Sequence, residues 1–123
     1  MSGASTYAKR GESTLIRLSV LDQSVALIDR PQAEAIRNTM GMAKVAEELG
    51  YHRFWVSEHH NHGSIVGTAP EILVSAIAAT TSRIRVGSAG VMLPHYSPYH
   101  VAEQFRVIDA IAPRRIDLGL GRA

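Results

Sequence analysis

A carboxylate and three imidazoles lie close together near the middle of this 123-residue chain. The stretch that starts at Phe54 opens with three apolar residues, as a buried strand does, and ends in the titratable side chains Glu58, His59, His60 and His62. A packed interior does not need so many such groups, whereas proton transfer near neutral pH uses imidazoles, which titrate in that range. We therefore predict that the end of this stretch lies at the opening of a catalytic or binding site.

The same histidines could instead bind a metal ion, because imidazole is the commonest metal ligand. His60 and His62 form a His-x-His pair after Glu58, and His95 and His100 follow further along the chain. No second closely spaced pair completes a coordination set, so we predict no metal site. The sequence contains no cysteine, which excludes a disulfide, a thiolate nucleophile and a zinc–sulfur site.

The composition indicates one water-soluble domain. Apolar residues make up 46% of the chain, yet no run is long enough to span a membrane. The chain has 13 Lys and Arg residues and 11 Asp and Glu residues, and its basic residues are spread along the sequence, which disfavours nucleic-acid binding. Residues 1–13 are small and polar, without the apolar core of a signal peptide. We expect a flexible leader at 1–13, a domain at 14–123 and a cytoplasmic location.

Apolar runs alternate with amphipathic stretches along the domain. Strands are predicted at 15–21, 53–57, 84–93 and 115–122, with helices that open at Asp29-Arg30-Pro31-Gln32, Thr68-Ala69-Pro70-Glu71 and Ser97-Pro98. The first two openings match a capping box, and the third places a serine cap before proline. The alternation implies a parallel sheet, either an open doubly wound sheet or the first half of an eight-unit barrel. Both bind ligands at the carboxyl ends of their strands, where Glu58, Ser88 and Arg122 are predicted.

Five motifs occur in order along residues 15–123: Phe54–Asn61, Thr68–Glu71, Val86–Pro94, Val101–Gln104 and Arg115–Arg122. In order and spacing they resemble the bacterial luciferase-like flavin-dependent monooxygenases. Several motifs in register make this resemblance more specific than any single motif. It implies an α/β fold in which parallel βαβ units form the first four strands of a TIM (β/α)8 barrel, that is, a half-barrel.

The resemblance also implies a function. Such a flavin-dependent oxidoreductase oxidises a small organic substrate with O2 and reduced FMN, which a flavin reductase supplies, and deazaflavin F420 is the alternative cofactor. A whole barrel needs about 250 residues, so we expect a truncated form or a second copy that completes it, and a homodimer packed through the second and third helices. The alternatives are a non-catalytic half-barrel module that dimerises and binds no flavin, and an unrelated metal-dependent hydrolase.

Residue by residue, the resemblance assigns catalytic roles to Glu58, His59 and His60 and cofactor-binding roles to Ser88, Ala89 and Arg122. His59 matches the catalytic histidine beside the flavin ring. The Ser88–Ala89 bond matches the place of a non-proline cis peptide beneath that ring, and Arg122 matches an arginine that holds the FMN phosphate.

Overall fold

A computed structural model describes residues 16–122, so the leader predicted at 1–13 lies outside the described residues. The strands are β1 (Ser19–Asp22), β2 (Arg53–Val56), β3 (Arg85–Ser88), β4 (Val91–Met92), β5 (Ile116–Asp117) and β6 (Leu120–Gly121). The helices are α1 (Gln32–Glu48), α2 (Pro70–Thr80) and α3 (Pro98–Ile111), with a 3-10 turn at Leu93–His95. The predicted alternation of strands and helices is confirmed. None of the described helices is both long and apolar enough to cross a membrane.

The main sheet is parallel, and its strands follow one another in chain order, β1-β2-β3-β5. A doubly wound sheet reverses its order at a switch point and places helices on both faces. Here α1, α2 and α3 all contribute to one core on one face of the sheet. Sequential order with helices on one face is the winding of a barrel, so the barrel alternative fits and the open-sheet alternative does not.

The core on the helical face begins with the alternation of side chains along β2. Phe54 and Val56 are fully buried, and in the neighbouring strand Val86 extends the same face. They pack in one cluster with Ile77 of α2 and Ile108 of α3. A fully buried side chain of this size contributes about 1.5–3 kcal/mol relative to exposure, so this cluster fixes how the helices sit on the sheet.

The opposite face of the sheet, which a complete barrel would enclose, carries charged side chains. Leu21, Trp55, Gly87 and Asp117 lie side by side in the strand register. Asp117 accepts hydrogen bonds from Arg53 and Trp55 and forms an ion pair with Arg85. A side chain at Gly87 would overlap Asp117, so glycine permits the close approach of β3 and β5.

Three local predictions were wrong. The α1 helix begins after Pro31 with no side-chain cap, and Asp29 lies in the left-handed region at φ 61° instead of capping it. Ala69, not Thr68, occupies the N-cap of α2 and makes no side-chain cap either. The strands predicted at 84–93 and 115–122 are each interrupted, and their outer halves, β4 and β6, pair in a separate two-stranded ladder. The strand conformation is therefore interrupted after β3 and after β5, where the candidate site begins.

Candidate functional site

Glu58 lies one residue beyond the Ser57 that follows β2, and its side chain has no exposed surface. Its Oε2 accepts the backbone N–H of Met92 at 2.8 Å. Its Oε1 accepts the hydroxyl of Tyr96 at 2.5 Å and contacts Nε2 of His60 at 2.6 Å. One buried carboxylate thus joins the end of β2 to β4 and to the 3-10 turn that follows it.

These contacts set the charge of the cluster. Burial by itself would raise the pKa of Glu58, but hydrogen bonds from Tyr96, the Met92 amide and His60 outweigh it and lower that pKa below its usual value. The same hydrogen bond to Glu58, together with burial, raises the pKa of Tyr96 to about 12. At neutral pH the cluster therefore holds an ionised carboxylate and a neutral phenol.

His59 and His60 are adjacent in sequence but have different partners. Nδ1 of His59 lies 3.1 Å from the hydroxyl of Ser57, and its backbone N–H donates to the Gly67 carbonyl at 3.0 Å. The ring of His60 meets that of His95 edge-on, with centroids 5.4 Å apart. Among the described residues, neither Nε2 of His59 nor Nδ1 of His60 has a hydrogen-bond partner, so each ring leaves one nitrogen for a ligand.

His62 has a structural role. Its Nδ1 accepts the backbone N–H groups of Ile65 at 3.0 Å and Ser64 at 3.2 Å. The loop that it closes is tied to the segment after β1 by an antiparallel bridge between Val25 and Ile65. Between residues 16 and 122, no three side chains of the metal-binding types are grouped closely enough to hold an ion.

The backbone beyond β3 forms one wall of a cavity of about 660 Å³. Its lining comprises Arg53, Trp55, Ser88, Ala89, Gly90, Ile116, Asp117, Leu118, Gly119, Leu120 and Gly121. Ser88 Oγ donates to the Gly119 carbonyl at 3.0 Å and lies 3.1 Å from the Gly119 amide. A side chain at Gly90 would meet the backbone of Gly119 at 2.8 Å. The wall is therefore bare backbone, held in place by one serine.

The cis peptide predicted at Ser88–Ala89 lies one bond later, between Ala89 and Gly90. The reason is the strand register. The Ala89 amide donates to the Val56 carbonyl at 2.8 Å and so continues the ladder between β2 and β3. The bond after Ala89 is the first one outside that ladder.

Arg122 lines a second cavity, of about 650 Å³, whose wall includes Tyr96. Leu120 and Gly121 line both cavities, so the two adjoin. Ser88 lines the first of these cavities and Arg122 the second, and Tyr96, which also lines the second, donates its hydroxyl to Glu58. Glu58, His59 and His60 line neither of these cavities. Sequence reasoning missed Tyr96, for which the only signal was an aromatic residue after the third predicted strand.

The sequence profile named "Luciferase-like monooxygenase" matches residues 16–123. The chain belongs to the luciferase-like monooxygenase family. It is 55% identical over 109 residues to the N-acetyl-S-alkylcysteine monooxygenase of Bacillus subtilis (strain 168), an alignment that covers 89% of this chain and 33% of that protein. The predicted family is confirmed.

Solved structures agree with this membership. The structure of apo-MsnO8 is 49% identical with a TM-score of 0.86, over 89% of this chain and 33% of that one. The oxygenating constituent of 3,6-diketocamphane monooxygenase from Pseudomonas putida, in complex with FMN, has a TM-score of 0.80 over 85% of this chain and 29% of that one. At 23% identity it shares the fold. This luciferase-like chain spans about a third of the length of the relatives it matches, and the predicted half-barrel is confirmed.

Proposed function

We propose that this half-barrel supplies the first part of the active site of a flavin-dependent monooxygenase, which oxidises a small organic molecule with dioxygen and reduced FMN. Membership of the luciferase-like family supports the reaction class. The observation that carries the proposal is a pair of adjoining cavities beside β3 and β5. The first has the backbone of residues 88–90 as one wall and also contacts Trp55 and Asp117, and the second is lined by Arg122.

The residues present fit a planar cofactor that carries a phosphate. A cavity of about 660 Å³ falls within the usual range for small-molecule sites. Its wall at Ser88, Ala89 and Gly90 presents little side chain, which suits the face of a flat ring. The guanidinium of Arg122, in the adjoining cavity, has the planar fork that binds phosphate oxygens in pairs.

When bound, reduced FMN would supply the electrons that activate dioxygen. This chain would supply proton-transfer groups and the support behind them. His59 and His60 each offer a ring nitrogen, and an imidazole can give or take a proton near neutral pH. Glu58 is shielded from solvent, so it would act on the ligand through His60.

We also propose that the protein forms a homodimer through the groove between α2 and α3. Ile72 and Val107 are 65% and 54% exposed, and both line this groove together with the small side chains of Ala76 and Ala79. Small residues allow a second helix pair to approach closely. The apolar lining gives that approach a driving force of the kind that interface cores use. A flavin reductase is the partner that would deliver reduced FMN.

The cofactor proposal is tested by titrating the chain with FMN, with anaerobically reduced FMN and with F420, followed by fluorescence and calorimetry. We expect saturable binding of reduced FMN that Arg122→Ala weakens at least tenfold, while Arg106→Ala, an exposed arginine of α3, leaves it unchanged. Tighter binding of F420 than of FMN would replace the cofactor. No binding of any of the three would refute the proposal and favour the non-catalytic module.

The dimer is tested separately by light scattering during size-exclusion chromatography. Ile72→Asp places a charge in the α2–α3 groove and should convert a dimer to a monomer. Leu49 is slightly more exposed than Ile72, at 71% against 65%, but lies outside the groove, so Leu49→Asp should leave the mass unchanged. A wild-type chain that elutes as a monomer at all concentrations would contradict this assembly.

A further inference from the structure

The cavity walled by residues 88–90 has a charged end that the proposed function does not use. Arg53, the first residue of β2, lines it together with Trp55 and Asp117. Nε of Arg53 donates to Oδ2 of Asp117 at 3.0 Å, and its guanidinium lies over the Trp55 ring, 6.0 Å from the ring centre. Among residues 16–122, neither Nη1 nor Nη2 of Arg53 has a hydrogen-bond partner. The protein therefore fixes this guanidinium through Nε and leaves its two terminal nitrogens for a ligand.

Two other partly buried arginines at the sheet use their terminal nitrogens within the protein. Nη1 of Arg85 donates to a backbone carbonyl at 2.6 Å, and Nη2 pairs with Asp117. Nη1 of Arg115 donates to the Thr81 hydroxyl at 3.0 Å, and Nη2 donates to a backbone carbonyl of α2 at 2.6 Å. These bonds hold elements of the fold together. Arg53 differs from both because its terminal nitrogens hold nothing among the described residues, which points to a binding role.

The charges around Arg53 suit an anion that carries a single negative charge. Arg53 and Arg85 are both paired with the one carboxylate of Asp117, so one positive charge is left over. A phosphate with two negative charges would be repelled by Asp117 at close range. A carboxylate needs only the one positive charge, and its two oxygens match the planar fork of a guanidinium.

The remainder of the cavity suits the carbon skeleton of such an anion. An apolar surface continues from the Arg53 end along the cavity, and two of its leucines are exposed. Contact with a carbon chain would remove these side chains from water, which is favourable. The apolar side chains of this surface are Trp55, Ile116, Leu118 and Leu120.

The strand register sets the distance between the two ends of the cavity. Arg53 lies opposite Arg85, and Ala89 follows Arg85 by four residues, so about 13 Å of strand separates the Arg53 backbone from the wall at residues 88–90. A ligand that reaches both ends therefore carries its anionic group at one end, away from the atoms that lie against that wall.

We propose that Arg53 binds the carboxylate of a small organic acid, and that the substrate oxidised at this site belongs to that class. The second part rests on the proposed function. Asp117 orients the guanidinium through Nε, Trp55 packs against it, and the two terminal nitrogens donate to the two carboxylate oxygens. Arg53 is thus a specificity-determining residue, because it distinguishes an acid from a neutral molecule of the same shape.

Trp55 provides the readout, since it is the only tryptophan in the sequence and lines this cavity. The whole chain is titrated with hexanoate and with hexanamide, which has the same carbon chain but no charge. We expect hexanoate to change the Trp55 emission and to bind at least tenfold more tightly than hexanamide. Equal affinities, or no saturable binding of hexanoate, would overturn the inference in the unaltered protein. Tighter binding of hexyl phosphate than of hexanoate would overturn the assignment to a carboxylate.

Substitutions locate the bound acid. Arg53→Gln should weaken hexanoate binding at least tenfold and leave hexanamide binding unchanged. Arg83→Gln is the matched control, because it removes an exposed arginine at the same end of the sheet but outside the cavity, and it should change neither. Loss of hexanoate binding in Arg122→Ala, with binding retained in Arg53→Gln, would place the acid in the second cavity and overturn the inference.

Circular dichroism checks that each variant folds. If Arg53→Gln does not, Arg53→Lys replaces it. The lysine keeps a positive charge beside Asp117 but lacks the paired terminal nitrogens, so hexanoate binding should still weaken. Unchanged hexanoate binding in Arg53→Lys would show that the guanidinium fork is not what binds the acid.

Hexanoate is titrated without cofactor, so this experiment and the FMN titration can fail separately. A preference for hexanoate without binding of FMN or F420 would refute the proposed function and leave Arg53 as a carboxylate site. Binding of FMN without a preference for hexanoate would overturn the role of Arg53 and leave the proposed function standing.

Discussion

The ion cluster on the open face of the sheet gives a prediction whose magnitude can be worked from its contacts. Asp117 accepts from Nε of Arg53 at 3.0 Å and from the indole N–H of Trp55 at 3.3 Å, and it pairs with Arg85. We predict that Asp117→Asn lowers the free energy of unfolding at pH 7. The asparagine keeps one acceptor oxygen but removes the only negative charge among residues 16–122 that contacts both arginines.

The size of the loss follows from the number and exposure of these contacts. A hydrogen bond to a charged group contributes about 1.5–3 kcal/mol when buried. The side chains of Asp117, Arg85 and Arg53 are 21%, 31% and 34% exposed, so solvent screens part of each interaction. Two weakened charged contacts at this exposure give an expected loss of about 2 kcal/mol in total.

The loss should depend on pH in a defined direction. Burial would raise the pKa of Asp117, but hydrogen bonds from Arg85, Trp55 and Arg53 outweigh it and lower that pKa overall. A carboxyl group with a lowered pKa in the folded state contributes stability above its unfolded pKa and loses it as the pH falls through the folded value. The difference between wild type and Asp117→Asn should therefore be full at pH 7 and shrink below about pH 4.

The assay is urea denaturation followed by circular dichroism at pH 7 and pH 3 for both proteins. Glu48→Gln provides the control, because the Glu48 side chain is exposed and makes no hydrogen bond with the described residues. A loss for Asp117→Asn of less than about 0.5 kcal/mol, the usual range for surface substitutions, would refute the reasoning. So would a loss of the same size at both pH values, since it would not come from charge.

Two further predictions concern packing and a backbone clamp. Glu47 accepts the backbone N–H groups of Ser82, Arg83 and Ile84 at 2.9, 2.6 and 2.9 Å. Glu47→Ala should therefore lower the free energy of unfolding, measured by thermal denaturation, by about 1 kcal/mol, which is the size of the loss when a helix cap is removed. Glu47→Gln retains an acceptor oxygen and should lower it less, and equal losses in the two variants would contradict this explanation. Ile77 is fully buried, so Ile77→Ala should cost about 3 kcal/mol in urea denaturation, whereas a similar loss in Ile72→Ala, at an exposed position, would show that burial does not explain it.

The order of strands and helices was predictable because it depends on how apolar residues repeat over short stretches of the sequence. Phe54 and Val56 alternate with Trp55 along β2, and their burial on one face is what a parallel strand under helices requires. Helix starts were less predictable. A capping box is a local pattern, but Asp29 sits in a left-handed turn and Pro31 takes the N-cap, so the pattern at α1 is not used.

The hydrogen bonds that join the residues of the candidate site were not predictable from local sequence patterns. Glu58 and Tyr96 are 38 positions apart, and they come into contact because the third strand is interrupted after β3 and the chain then turns back through a 3-10 turn. No period in the sequence encodes that break. Arg122 was found by its position after a strand, whereas the partners that distinguish His60 from His59 required the folded contacts.

The consecutive pairing of strands has a consequence for how such chains diverge. Each strand of the main sheet pairs with its neighbours in sequence, and the principal helix contacts are likewise α1 with α2 and α2 with α3. Replacing one strand–helix unit by that of a relative would therefore change mainly its contacts with the unit before it and the unit after it. The loop at the carboxyl end of the imported strand would be exchanged together with its unit, while the other strands and helices keep their contacts.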